Sequence, residues 1–449
     1  MKNVNILYNV NLPGSERIEY VIEFLNTHPL RPSKLCFVTN SKENSTVNIG
    51  YGIPNLEYLI ERDNHFLISN VNDFSSLQLV NIETKKKNLS VLKGENINPH
   101  KSDFLGFDII ENIFFHISRM EEVFADPEQS NNSCWLDESL HLIIKEGCEK
   151  QPIVDDLVLF FFEKILDTKV HQNTQYEITH DIDFLYRFKP LHEFIRSIIA
   201  TIIYARGFRT LVNIIKHRYG MLKSDKIKDP YDTYSDLFLE DETKWERKLC
   251  FLMTGGNTKY DNRYSINHPY IKNVLSISKA RNYTIGIHPS YNAHTNKKMY
   301  AKEKNKLETI IGYTVENNRQ HILRYDWSIT PYIYNEEGIQ TDSSMGYKEH
   351  LGFRCGTGFP YHMYDFKNEE KFSWKEYPIA YMDSSANHES VKKNISVEKL
   401  TDTFMKTNQY NTYISFNFHN SSFDPLTAQG RALYKLYTTK IKSISFEEK

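Results

Sequence analysis

The pattern of hydrophobic positions in the second part of the chain alternates between short apolar runs and longer segments with helical spacing. Residues that are apolar continuously or at every second position predict strands, and apolar residues three and four apart predict helices. Predicted strands lie at 176–179, 249–253, 283–287, 322–325, 377–382 and 413–418, and predicted helices lie at 269–281, 302–315 and 397–407. This alternation favours an α/β fold in which helices cover parallel strands, as in a barrel.

The first 170 residues have a less regular pattern, which predicts a separate α+β module. Predicted strands lie at 4–10, 35–39 and 66–71, predicted helices at 16–26, 108–122 and 154–166, and a polar loop at 126–133. The sequence shows no arrangement of residues typical of catalysis in this part. We therefore place the domain boundary near 167–174, which gives an N-terminal domain at 1–170 and a second domain at 171–449.

Residues 189–228 carry apolar residues at helical spacing together with several basic side chains. They predict a helical insertion into the second domain. A solvated helical hairpin is the favoured interpretation, ahead of an arm that binds a membrane or a polyanion. The longest apolar run, at 198–205, is far shorter than the about 20 residues that cross a bilayer.

Composition narrows the class of partner. The 449-residue chain has 55 basic and 57 acidic residues, so no overall positive field points to nucleic acid. The five cysteines are scattered and form no Cys-x-x-Cys pair, which indicates reduced thiols. The N-terminus lacks the features of a secretory signal, and we expect a cytoplasmic protein without a transmembrane segment. The sequence leaves the oligomeric state open.

The segment Glu177-Ile-Thr-His-Asp-Ile-Asp183 joins a predicted strand directly to two carboxylates. Because side chains alternate along a strand, Asp181 and Asp183 are expected on the same side. Two carboxylates that face one pocket suggest a metal ligand beside a general base, since a cation relieves their mutual repulsion. An Asp-rich turn at the end of the strand is the simpler alternative. Polar residues at the other strand ends favour the functional interpretation.

The strand predicted at 283–287 also ends in candidate ligands. His288 follows it directly and is a predicted metal ligand. Asn292 stands four residues further on and faces the same way if a helix begins at Pro289. His294 is a nearby alternative ligand.

The remaining candidates supply acid, charge and hydrogen bonds. His419 follows the last predicted strand, and an imidazole with a pKa near neutral suits a general acid. An arginine near the strand predicted at 322–325 is expected to hold the aspartate that does not bind metal in its ionised form. Arg324 is the preferred candidate, because a surface charge is a stronger alternative for Arg319. The residues that we assign to substrate binding are Tyr291, Arg319, His321, Asp342, Arg354 and Tyr361.

Five motifs in chain order resemble those of the polysaccharide deacetylases, the family-four carbohydrate esterases. They are Thr-His-Asp181-Ile-Asp183, Ile-Gly-Ile-His288-Pro-Ser-Tyr291, Arg319-Gln-His-Ile-Leu-Arg324-Tyr, Asp342-Ser-Ser-Met-Gly-Tyr and Gly-Phe-Arg354-Cys-Gly-Thr. With the N-terminal extension, which contains Ser118-Arg-Met-Glu-Glu122, they are similar to a divergent subgroup of that family. The resemblance covers most of the chain.

The resemblance implies a distorted (β/α) barrel and a metal-dependent hydrolase that removes acyl groups from N-acetylated sugars, as in the synthesis of cell-surface polysaccharides. By position it implies Asp181 as the base, Asp183 and His288 as metal ligands, and His419 as the acid. The implied cofactor is a divalent metal ion, above all Zn²⁺. The implied partner is a carbohydrate substrate.

One departure from the family concerns the metal. The family usually has a second histidine four residues after the first, where this chain has Asn292, and an amide oxygen is a poorer zinc ligand than an imidazole. His321 stands where the family tends to have a proline after its arginine. The predicted ligands are therefore Asp183, His288 and Asn292, with weaker binding or a shift toward harder metals.

These observations favour a carbohydrate deacetylase that acts on a glycan or a glycan precursor. A catalytically inactive carbohydrate-binding protein on the same barrel is the alternative, because Asn292 weakens the metal site. A glycosidase that uses Asp181 and Asp183 is disfavoured, because carboxylates two residues apart on one strand do not flank a glycosidic bond from opposite sides.

Overall fold

The structure, a computed structural model, gives secondary structure for most of the chain. The residues that it describes are 2–11, 14–41, 47–51, 58–60, 78–83, 88–93, 105, 107–125, 137–203, 207–238, 245–261 and 264–444. The strand predicted at 66–71 and the loop predicted at 126–133 lie outside these residues.

Strands and helices alternate through most of the described chain. The strands are β1 (Lys2–Leu7), β2 (Leu35–Thr39), β3 (Val47–Tyr51), β4 (Tyr58–Ile60), β5 (Gln78–Glu83), β6 (Asn88–Lys93), β7 (Gln175–Ile182), β8 (Arg247–Leu252), β9 (Thr284–Ile287), β10 (Asn317–Asn318), β11 (Thr341–Asp342), β12 (Tyr361–Asp365), β13 (Glu370–Glu376), β14 (Ile379–Met382) and β15 (Tyr413–His419). The α-helices are α1 (Ser15–Thr27), α2 (Ile109–Ile117), α3 (Met120–Val123), α4 (Leu142–Lys145), α5 (Ile153–Leu166), α6 (Leu191–Ile203), α7 (Phe208–Lys223), α8 (Tyr234–Leu237), α9 (Pro269–Ala280), α10 (Lys297–Ile311), α11 (Thr330–Glu336), α12 (Asp383–Lys392), α13 (Val397–Thr407) and α14 (Ala428–Leu436).

The largest sheet of the described residues has nine strands in the order β12-β13-β11-β10-β9-β8-β7-β15-β14. Neighbouring strands are parallel throughout, except for the antiparallel pair of β12 and β13. The prediction of an α/β fold with parallel strands is therefore confirmed. Because the parallel strands run in one direction, their carboxyl ends share one edge of the sheet.

The sheet curls on itself without closing. β13 and β14 lie near opposite ends of the strand order, but only two residues separate Glu376 from Ile379. At about 3.6 Å per residue, this link keeps the two ends within about 11 Å of each other. Among the described strands, none from one end pairs with β14 at the other. The distorted (β/α) barrel that the family resemblance implied is therefore shown only as an open, curled sheet.

Two local predictions were wrong. The segment 322–325 is not a strand: His321–Leu323 forms a 3-10 turn, and the sheet position is filled by the two-residue strand β10 upstream. The helix predicted at 108–122 divides into α2 and α3, because Arg119 between them has a left-handed φ of 56°. The antiparallel hairpin of β12 and β13 was missed.

The N-terminal region contains a four-stranded parallel sheet of order β2-β1-β3-β4, against which α1 packs. The strand predicted at 35–39 and the helices predicted at 16–26 and 154–166 are confirmed, each within one residue. β1 ends at Leu7, three residues before the predicted end.

A buried cluster of charges joins the N-terminal region to the loop that follows β11. Glu122 accepts hydrogen bonds from the guanidinium groups of both Arg119 and Arg354. Burial raises the pKa of Glu122, but Arg354 and Arg119 more than offset this and lower it well below its ordinary value. A second link is Asp155 on α5, which accepts a hydrogen bond of 2.9 Å from Thr412. These contacts fix the N-terminal region against the large sheet.

The helical insertion is present as the hairpin of α6 and α7. It leaves the sheet after β7 and returns at Asp229, whose carboxylate accepts hydrogen bonds from the backbone N–H groups of residues 187–189. No helix in the described part of the chain is both long enough and apolar enough to cross a membrane.

Candidate metal and catalytic site

Side chains that the sequence predicted for catalysis meet at the carboxyl edge of the parallel strands. Asp181 lies at the end of β7, Asp183 follows that strand, and His419 is the last residue of the neighbouring β15. The Nε2 atom of His419 is 3.7 Å from Asp181 Oδ2 and 3.9 Å from Asp183 Oδ2. The two carboxylates therefore face one pocket.

Asp181 is held by two side-chain donors. Its Oδ1 atom accepts a hydrogen bond of 3.0 Å from Arg319, and its Oδ2 atom accepts one of 2.8 Å from the amide of Asn417. Burial raises the pKa of Asp181, but Arg319 and two nearby histidines lower it below its ordinary value overall. The carboxylate is ionised at neutral pH and fixed in orientation, as a general base requires.

Arg319, and not Arg324, is the arginine that holds Asp181. Arg319 is 0% exposed, so the alternative of a surface charge was wrong. Its Nε atom also donates to the carbonyl of Ser343 at 3.0 Å. The guanidinium of Arg324 lies over the ring of Tyr291, 3.8 Å from its centroid. Arg319 therefore makes the contact with the ionised aspartate that was predicted for Arg324.

Asp183, His288 and His321 form a group in which the possible ligand atoms all lie within 4.8 Å of one another. Asp183 Oδ1 is 3.4 Å from His288 Nε2. The Nδ1 atom of His288 lies 2.6 Å from the backbone carbonyl of Arg319. This contact places the proton of a neutral ring on Nδ1 and leaves the Nε2 lone pair free to bind a cation.

His321 enters this group on a strained turn. Ile322 and Leu323, which follow it, have left-handed φ angles of 57° and 53°. A side chain branched at Cβ, such as that of Ile322, rarely adopts this conformation, which costs on the order of 1–3 kcal/mol. Because the surrounding structure must hold such a turn in place, strain of this kind concentrates at functional sites.

The group fits a divalent metal ion. Asp183 Oδ1 is buried, and its contact of 3.4 Å with His288 Nε2 does not have the geometry of a hydrogen bond. Burial of an unsatisfied carboxylate oxygen is costly, and a bound cation would satisfy it. One carboxylate and two imidazoles are ligands typical of zinc and related metals. The identity of the metal as zinc stays a prediction.

His321 occupies the place in the group that the sequence analysis gave to Asn292. Asn292 is exposed and precedes the short turn Ala293–Thr295. The Nδ1 atom of His294, the other alternative, lies 3.1 Å from the backbone carbonyl of Tyr291. The geometry therefore offers a third ligand in His321, which the sequence had assigned to the substrate.

His419 is oriented by Asp383, the first residue of α12. The Nδ1 atom and the backbone N–H of His419 each lie 2.7 Å from an oxygen of this carboxylate. Burial lowers the pKa of His419, but Asp383 and then the carboxylates of Asp183 and Asp181 raise it to about 10. The ring is therefore protonated at neutral pH, with Nε2 facing the two site carboxylates.

An aromatic pair borders the metal group. Tyr291, assigned to substrate binding, is half-buried and stacks on the exposed Tyr260 with ring centroids 4.5 Å apart. The backbone N–H of Tyr291 donates to Asp261 Oδ1 at 2.7 Å, and the same oxygen is 3.8 Å from His321 Nδ1. This arrangement places a partly exposed aromatic surface next to the candidate ligands.

The other residues assigned to the substrate are buried among protein groups. Asp342 accepts side-chain hydrogen bonds of 2.7 and 2.8 Å, and burial raises its pKa to about 6. Arg354 belongs to the charge cluster of Glu122. Tyr361 packs edge-on against Phe24 in the core. Their roles in substrate binding stay predictions.

Three polar residues of the site were missed. Asp383 directly follows β14. It could therefore have been predicted in the same way as the other polar residues at strand ends. Asn417 is a polar residue between Phe416 and Phe418 within a buried strand, which is also a recognisable signal. Asp261 lies in the loop after β8, where no pattern of the sequence distinguishes it.

Comparisons with known proteins found one family match and a distant structural match. A family model described as a family of unknown function, DUF7033, matches residues 7–170. No protein with a curated description matches the chain. The chain is similar to a solved structure from Mycobacterium smegmatis, described as a candidate polysaccharide deacetylase, with 14% sequence identity, coverage of 61% of this chain and 85% of that chain, and a TM-score of 0.35. This likeness is too distant to indicate the function of the chain.

Proposed function

We propose that this chain is a metal-dependent hydrolase that removes the acyl group from an N-acylated carbohydrate. The observation that carries the proposal is the group of Asp183, His288 and His321 next to a fixed carboxylate, Asp181, and the imidazole of His419. Hydrolysis of an amide is accelerated when a cation, a general base and a general acid surround the bond that is cleaved. This edge of the sheet offers groups for all three.

Asp181 is the base of the proposed reaction. Asp183, His288 and His321 would hold a divalent ion, which would polarise the acyl carbonyl and make water easier to deprotonate. Asp181 accepts the proton of the attacking water. Arg319 and Asn417 occupy both of its oxygens with hydrogen bonds and so keep the carboxylate ionised and correctly turned.

His419 is the acid of the proposed reaction. Expulsion of the amine requires a proton on its nitrogen, and the Nε2–H group of His419 points into the pocket from the side of β15. Asp383 holds the other ring nitrogen, so that the ring presents its proton in a fixed direction. The reaction thus ends with an amine and a carboxylate product.

A carbohydrate substrate is supported by two observations. The five sequence motifs resemble those of enzymes that act on N-acetylated sugars. The exposed ring of Tyr260, which stacks on Tyr291, presents aromatic surface near the metal group, and such rings pack well against the apolar faces of sugars.

Release of acetate from N-acetylated sugars tests the proposal. We expect the purified chain to release acetate in amounts that match the amine formed, and a chelator to stop the reaction. Because general acids contribute about 100- to 10,000-fold, the His419→Gln variant should lose activity by at least about 100-fold.

The control is His388→Gln, which changes an exposed histidine on α12 in the same way. This variant should keep the activity of the unaltered chain. If N-acetylated sugars bind to the metal-loaded protein but no acetate is released under any condition, the hydrolase is excluded, and the alternative of a catalytically inactive carbohydrate-binding protein is supported.

A further inference from the structure

The hairpin of α6 and α7 exposes a continuous apolar surface. On α6, the side chains of Leu191, Ile195, Ile199 and Ile202 are exposed, and their spacing of four, four and three residues puts them on one face. Ile203 next to them is 69% exposed. Large aliphatic residues rarely cluster on the surface of a protein without a partner.

The second helix carries a matching stripe. Phe208, Ile215, Tyr219 and Leu222 are all exposed and fall within an arc of about 60° on α7, at 100° per residue. Phe208 is 80% and Leu222 70% exposed. Both helices of the hairpin therefore present apolar faces to the outside.

Other side chains make the contacts that anchor the hairpin. The two helices bury Thr201 and Ile214. At the base of the hairpin, the ring of Phe188 contacts the ring of Phe194 edge-on, and the carboxylate of Asp229 accepts a hydrogen bond from the backbone N–H of Phe188. The apolar stripes of α6 and α7 lie outside these contacts and are exposed to solvent.

Positive charge accompanies the apolar surface. Residues 189–228 contain nine Lys or Arg and two Asp or Glu, a formal charge of +7 in a chain whose total is −2. On α7, the exposed side chains of Arg209, Lys216 and Lys223 recur every seven residues and form a line beside the apolar stripe. An apolar face with basic flanks is typical of helices that lie in the interface of an anionic membrane.

We propose that the hairpin of α6 and α7 docks this protein onto the surface of a bilayer that contains anionic phospholipids. The apolar stripes of both helices lie among the headgroups and upper acyl chains, and the lysines and arginines beside them contact lipid phosphates. With 13 and 16 residues, the helices are shorter than the about 20 residues that span a bilayer, so they lie along the interface.

The charge of the hairpin argues against the two other obvious occupants. A second copy of the chain would bring two segments of +7 together, and like charges at an interface oppose association. A nucleic acid would satisfy the basic residues, but it would leave the apolar stripe between them exposed to water. An anionic bilayer satisfies both features at once.

Docking by this hairpin also orients the candidate site. The chain enters α6 eight residues after Asp183, and it leaves the sheet at the carboxyl end of β7, the edge that carries the site. Membrane binding by the hairpin does not depend on the proposed hydrolase activity.

Vesicle sedimentation with the full chain tests the proposal. We expect the protein to sediment with vesicles of phosphatidylcholine and phosphatidylglycerol, to bind less to phosphatidylcholine alone, and to be released by salt. The double variant Phe208→Ser, Leu222→Ser removes two exposed side chains from the stripe and should weaken partitioning by at least about tenfold. The double variant Lys216→Glu, Lys223→Glu lowers the formal charge of residues 189–228 from +7 to +3 and should weaken the preference for phosphatidylglycerol.

The matched controls change equally exposed residues outside the hairpin. Val391→Ser and Lys392→Glu on α12 should bind vesicles like the unaltered chain. Acetate release from a soluble N-acetylated sugar should be the same in all these variants, which separates this test from that of the hydrolase.

Three results would overturn the proposal. The first is a failure of the unaltered chain to bind anionic vesicles, and the second is equal binding of the hairpin variants and the controls. The third is a dimer in solution that dissociates in the Phe208→Ser, Leu222→Ser variant without any vesicle binding, which would assign the surface to a second copy of the chain.

Discussion

The Asp181→Asn variant is expected to lose about 100- to 10,000-fold in kcat for acetate release while it keeps its full content of metal. Asparagine matches aspartate in shape, and its single amide oxygen can still accept from Arg319. It cannot take a proton from water. The measurement is steady-state kinetics beside elemental analysis of the same preparation.

The control for this variant is Asp402→Asn, which removes one exposed carboxylate that pairs with Lys440. Its kcat should not change. A loss of less than about tenfold in Asp181→Asn would show that another group is the base. A loss of metal together with activity would instead make Asp181 a ligand.

The Glu122→Ala variant is expected to be less stable by about 3–5 kcal/mol, because it removes the carboxylate that binds the buried guanidinium groups of both Arg119 and Arg354. The measurement is the free energy of unfolding in urea. Because the folded-state pKa of Glu122 is depressed, its stabilising effect is fully present above its ordinary pKa of 4.5 and is lost as the pH falls below it. The difference between the variant and the unaltered chain should shrink in acid accordingly.

Glu336→Ala is the matched control, since Glu336 forms an exposed ion pair with Lys297. Exposed pairs contribute about 0–1 kcal/mol, so this variant should be nearly as stable as the unaltered chain. Similar unfolding energies for Glu122→Ala and Glu336→Ala would contradict the role of the buried cluster in joining the N-terminal region to the large sheet.

The sequence was sufficient to predict the position of site residues that lie at or just after the end of a strand. Asp181, Asp183, His288 and His419 each lie at or just past the end of a parallel strand, and the shared edge of the sheet brings them together. The period of the apolar residues is enough to locate such strand ends. For these four residues the sequence and the structure therefore give the same pocket.

The sequence was uninformative where a turn decides the position of a side chain. His321 reaches the metal group because Ile322 and Leu323 adopt left-handed conformations, which their residue types disfavour. No local preference predicts such a turn, since the surrounding packing imposes it. The same limit explains why the sequence assigned Arg319 to the substrate, with a surface charge as the alternative, although Arg319 is buried against Asp181.

The sequence pattern also could not predict whether the sheet closes into a barrel. Strand and helix alternation predicts parallel strands but does not say whether the first and last of them pair. Here the chain passes from β13 to β14 through two residues and joins the two ends covalently, without a ladder of hydrogen bonds between them. The open, curled sheet is thus a property of the tertiary structure.

The metal content of three proteins tests the central claim most directly: the unaltered chain, His321→Ala and Asn292→Ala, each purified without chelator and supplied with zinc. If Asp183, His288 and His321 are the ligands, elemental analysis will find about one equivalent of metal in the unaltered chain and in Asn292→Ala, and almost none in His321→Ala. Metal that is retained in His321→Ala but lost in Asn292→Ala would contradict the ligand group proposed here. An unaltered chain that binds no metal would exclude the metal-dependent mechanism altogether.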